Sequence, residues 1–121
     1  KSKPRMKIRI KDNSVRYRLS QTEVTHLVQN GETWSKCQFG AGELIYGVLA
    51  TDAEELSCSF DGNTITTKVP KSLLVNWDTD ERVGFDHTAN SLFILLEKDW
   101  QCLKPRDHED ESNLYQHPAG T

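Results

Sequence analysis

Residues 6–24 read MKIRIKDNSVRYRLSQTEV, and this stretch decides the fold. Lys7, Arg9 and Lys11 alternate with Ile8 and Ile10, while Arg16 and Arg18 alternate with Val15, Tyr17 and Leu19. Successive side chains of a strand point to opposite faces, so each run reads as a strand with one dry face and one charged face. Asp12, Asn13 and Ser14 between them are turn formers, which predicts a hairpin over 6–11 and 15–19. Ser20 stands three residues before Glu23, the spacing of a capping box, with Leu19 and Val24 placed as a hydrophobic staple. Val24, Leu27 and Val28 then recur at helical spacing until Gly31, which predicts a short helix docked on a sheet.

The charge of this opening is as informative as its periodicity. Eight of the fifteen Lys and Arg residues lie in the first eighteen positions, with Asp12 the only acid, a net +7. The remaining 103 residues hold seven cations and seventeen acids, a net −10, so the chain totals −3. Like charges opposed across two strands repel. An anionic group is therefore expected to face Lys7, Arg9, Lys11, Arg16 and Arg18. One source is a small anion such as a phosphorylated metabolite or nucleotide. The other, and the one the sequence favours, is internal: the acidic C-terminal tail folded across the hairpin, with Glu97, Glu109, Asp110 and Glu111 as structural ion-pair partners. Nucleic acid is disfavoured by the sequence pI near 5.8 and by Tyr17 turning away from the basic face, which leaves no aromatic there to stack a base.

Beyond the helix the period changes to two. Strands are expected at 33–39 and 43–50, then a hairpin at 56–60 and 64–69 around Asp61, Gly62 and Asn63. Pro70 opens a second short helix with Leu73, Leu74 and Trp77 facing inward. A last pair of strands is expected at 82–86 and 91–98, turning through Thr88, Ala89 and Asn90. Residues 92–96 are apolar on both faces, so this strand should be central and covered on both sides. The expected fold class is α+β: a mostly antiparallel, strongly curved sheet or partial barrel of about eight strands with two short helices. No internal repeat is apparent. At 121 residues the chain suits one core. The expected division is an N-terminal extension or cloning remnant over 1–5, a native start at Met6, a single domain over 6–103, and an acidic tail packed on it over 104–121. The longest apolar run, 92–96, is far short of a membrane span, and no secretory signal follows the basic start.

Cys37, Cys58 and Cys102 show no paired spacing, which argues against a disulfide framework and for a reducing, cytoplasmic setting. Cys37 and Cys58 read as small buried hydrophobes. An alternative is a metal site from Cys102, His108 and His117 beside the acidic run. The spacing Cys-x5-His-x8-His fits no compact zinc module, so a solvated acidic tail is the simpler account. No G-x-S-x-G, phosphate-cradling glycine loop, H-E-x-x-H or dinucleotide fingerprint occurs. The sequence thus points to a non-catalytic binding or interaction domain without a cofactor. Its expected partner is a small anion, a protein, or a second copy meeting it through an edge strand.

Residues 6–11 and 13–16, with Arg18, Leu19, Glu23 and Val24, and later residues 97–103, Pro105, Arg106 and 109–111, together resemble a family of short bacterial proteins of unknown function. The resemblance implies one small bacterial domain and supplies no catalytic residues. The chain departs from that pattern at Asp12, where glycine is typical, and at His117, where asparagine precedes the proline. A histidine peculiar to this chain would take one ligand from the metal reading.

Overall fold

The computed structural model describes residues 6–99, and these form eight strands and two helices. The strands are β1 (Lys7–Lys11), β2 (Ser14–Leu19), β3 (Glu32–Phe39), β4 (Gly42–Thr51), β5 (Ser57–Asp61), β6 (Thr64–Pro70), β7 (Gly84–Ala89) and β8 (Leu92–Lys98). Helix α1 (Gln21–Asn30) follows β2, and α2 (Lys71–Leu74) follows β6. The capping box of α1 forms: Glu23 N–H donates to Ser20 Oγ at 3.3 Å, and Ser20 N–H donates to Glu23 Oε1 at 2.8 Å. Gly31 ends the helix at φ 84°, a left-handed geometry that glycine adopts without cost. Val24 and Leu27 are the residues it buries.

The strands divide into two four-stranded sheets, ordered β1-β2-β8-β7 and β3-β4-β6-β5. In each, two antiparallel hairpins meet through a parallel central pair, β2 with β8 and β4 with β6. The α+β class and the count of elements agree with the sequence. The single curved sheet or partial barrel does not: the sheets are mixed, and neither closes. The reason lies in the helices. α1 carries the chain from the first sheet to the second and α2 carries it back, so each sheet combines hairpins from distant parts of the chain. β1, β3, β5 and β7 each pair with one strand only and remain edges.

This wiring repeats itself. Hairpin, helix, hairpin occurs once from β1 to β4 and again from β5 to β8, and the two halves exchange roles between the sheets. The first hairpin pairs Lys7 with Arg18 and Arg9 with Arg16; fifty residues on, Ser57 pairs with Lys68 and Ser59 with Thr66. Asn13 and Asn63 hold matching places. Each carbonyl accepts an N–H from the neighbouring hairpin, from Phe93 at 3.0 Å and from Ile45 at 2.9 Å. Each side-chain amide donates across the same gap, to the carbonyls of Ser91 and Glu43. A structural repeat is therefore present although the sequence shows none.

Both sheets bury one core that includes Tyr17, Leu19, Leu27, Val48, Trp77 and Ile94. Tyr46 on β4 reaches across to donate its hydroxyl to the Met6 carbonyl at 2.9 Å. Trp77, beyond α2, is fully buried against Phe85, and its indole N–H donates to the Arg82 carbonyl. β8 is central as expected, with Ile94 and Leu96 fully buried, but Phe93 and Leu95 on its other face are only half-buried. The core fades toward the hairpin tips, where Ile10, Phe39 and Phe60 are 60%, 61% and 70% exposed. Cys37 lies there too and is exposed, contrary to the buried role expected of it; Cys58 is half-buried.

Candidate anion-binding face

The pairing of β1 with β2 sets Lys7 opposite Arg18, Arg9 opposite Arg16 and Lys11 opposite Ser14. Directly opposed residues share a face. The five cations of the sequence therefore stand together on the outer face of the first sheet, while Val15, Tyr17 and Leu19 turn into the core. All five are exposed. β8 extends this face, placing Phe93, Leu95 and Glu97 beside Ser14, Arg16 and Arg18.

The five do not share one electrostatic state. Arg18 Nε donates to Glu97 Oε2 at 3.0 Å, and Asp99 stands 2.9 Å from Lys7 Nζ and 3.8 Å from Arg18 Nη1. One end of the ladder is thus compensated by two carboxylates. At the other end, Arg9, Lys11 and Arg16 make no ion pair among the described residues. Arg16 lies over the ring of Phe93, 5.8 Å from its centroid, a cation–π contact that fixes the guanidinium without neutralising it. Two arginines opposed across a strand pair with no counter-charge form a locally repulsive arrangement.

The second sheet is an internal control for this face. At the positions matching Lys7, Arg9, Lys11, Arg16 and Arg18 it carries Ser57, Ser59, Asp61, Thr66 and Lys68. The same strand pairing is built there with one cation instead of five. The scaffold itself does not require the charge.

Asp99 and Phe93 were not singled out by sequence reasoning. Phe93 sits in a run that is apolar on both faces, and nothing local says that β8 lies parallel to β2. Cys102, His108, His117, Glu109, Asp110 and Glu111 lie outside the described residues, as does the stretch before Met6. Among the described residues no group of three or more His, Cys, Asp or Glu side chains could hold a metal ion, and no helix is long and apolar enough to cross a membrane.

Two other titratable clusters serve the fold. Tyr17 is fully buried, and desolvation pushes its phenol far up; Thr67 stands near, yet the hydroxyl makes no hydrogen bond of good geometry. Burial also raises the Cys58 thiol, against a smaller lowering by the Thr67 hydroxyl, which donates to Sγ at 3.3 Å. Asp80 meets some desolvation, but hydrogen bonds from Arg82, then the charges of Arg82 and Lys98, hold its carboxyl below the usual range. Arg82 in turn donates to the Leu73 and Val75 carbonyls and ties down the end of α2.

Fold and face together define a two-sheet α+β domain that presents a cationic ladder on one sheet. A family model described as a family of unknown function, DUF7009, matches residues 6–119, and the chain belongs to that family. No curated protein and no solved structure matches it.

Proposed function

We propose that this domain is a non-catalytic binding module, bacterial and cytoplasmic, that takes a phosphate-bearing anion on the outer face of its first sheet. Arg9 and Arg16 form the seat and Lys11 adds a third donor. Lys7 and Arg18 act mainly through their partners Asp99 and Glu97, which hold that end of the ladder in place. Two arginines opposed across the strand pair offer several N–H donors side by side, which suits the oxygens of a phosphoryl group. The observation that carries this reading is the charge at Arg9 and Arg16, uncompensated among the described residues, where the equivalent sites in the second sheet hold Ser59 and Thr66.

Protection of an exposed edge offers a competing account, since Lys on an edge strand discourages pairing with other chains. It covers Lys7, Arg9 and Lys11 on β1. It does not cover Arg16, which sits on β2 between two strands. The same cations oppose pairing of one β1 edge with that of a second copy.

The test uses the molecule's own template. The double variant Arg9→Ser with Arg16→Thr installs the residues that the matching hairpin already tolerates, so the fold should hold. Tripolyphosphate binding, followed by titration calorimetry at low salt, should fall by about tenfold or more, as expected when close charge contacts are removed. Undiminished binding by a folded variant would contradict the proposal.

A further inference from the structure

Asp99 brings the chain out of β8 onto the cationic face itself, with its carboxylate against Lys7 and Arg18. The acids that follow are Asp107, Glu109, Asp110 and Glu111, and Asp107 lies eight residues past Asp99. Eight residues reach at most about 26 Å, whereas the four-residue distance from Lys7 to Lys11 along β1 is about 13 Å. Every uncompensated cation is therefore within reach of the acidic run. The family match extends to residue 119, so this segment belongs to the same family unit as the sheet.

Resting on the anion-site reading above, we propose that residues 107–111 of this same chain dock on Arg9, Lys11 and Arg16, so that an external anion binds by displacing them. Four acids delivered to three cations reverse the local repulsion. Because the tether is short, the segment competes at an effective concentration on the order of millimolar. The face is then selective by charge density. A single carboxylate or inorganic phosphate is outcompeted, whereas a compact polyanion with several phosphoryl groups displaces the tail. Salt weakens both contacts, so the difference between them should narrow as ionic strength rises.

The experiment compares the full chain with the variant Asp107→Asn, Glu109→Gln, Asp110→Asn, Glu111→Gln. Tripolyphosphate is titrated into each, and a carbodiimide forms amides between Lys11 and any touching carboxylate, read by peptide mass mapping of the monomer band. The proposal expects about tenfold tighter binding by the neutralised variant and an amide from Lys11 to Asp107, Glu109, Asp110 or Glu111 in the parent chain. Equal affinities would overturn it and leave the anion site standing. If neither chain binds tripolyphosphate, the anion-site reading fails by itself, and the Lys11 amide then decides the docking: its presence upholds the contact, its absence refutes it.

Discussion

Asp12 occupies the first turn at φ 49°, the left-handed region. A side chain there costs energy that glycine does not meet, although aspartate tolerates it better than most residues. The matching turn position in the third hairpin is Gly62, at φ 64°. Asp12→Gly should therefore stabilise the protein by up to about 1 kcal/mol, measured as a rise in the urea midpoint at unchanged slope. A second residue-scale test concerns Tyr17. Its hydroxyl is buried without a hydrogen bond, so Tyr17→Phe should be neutral or stabilising at pH 7, within about 1 kcal/mol. The advantage of the variant grows in alkali. Desolvation raises the phenol in the folded chain above its ordinary value of 10.0, so stability is fully present below that pH and declines as the unfolded chain ionises above it. Urea curves at neutral and strongly alkaline pH should show that decline in the parent and a shallower one in the variant.

At the scale of elements, Asn13 and Asn63 clamp hairpin to hairpin in both sheets through the same pair of hydrogen bonds. Asn13→Ala and Asn63→Ala should each cost about 1 kcal/mol, and the two losses should agree within about 0.5 kcal/mol, as measured by thermal or urea unfolding. Unequal losses would mean that the halves are not equivalent in energy. These contacts mark the limit of what the sequence disclosed. The first hairpin, the capping box at Ser20 and the stop at Gly31 were legible because they rest on neighbours in sequence. The joining of β2 to β8 was not, because Ser14 and Phe93 meet across most of the chain. The last hairpin turns at Asn90 and Ser91, both with positive φ, and β7 covers Gly84–Ala89 rather than the expected 82–86, because neither turn residue is glycine to mark the place. The repeat stayed hidden because residues 6–24 and 56–74 share only the asparagine of the turn. What persists is burial, Met6 matching Leu56 and Leu19 matching Val69, and burial alone does not align two sequences.

On the scale of the whole molecule, two halves of like wiring have diverged in surface charge. One hairpin carries five cations on its outer face; the matching positions of its counterpart hold two serines, a threonine, an aspartate and one lysine. The alternation of Lys and Arg exposed that face in the sequence, but which cations were already compensated depended on Glu97 and Asp99 arriving from the other end of the domain. The most direct measurement is a two-dimensional amide NMR titration of the full chain with tripolyphosphate at low and high salt. Shifts centred on Arg9 and Arg16 that spread over β1, β2 and the adjoining part of β8, accompanied by those of residues 107–111 and weakening with salt, are the expected result. Shifts centred on the second sheet, or none at either salt concentration, would contradict the assignment of this face as an anion site.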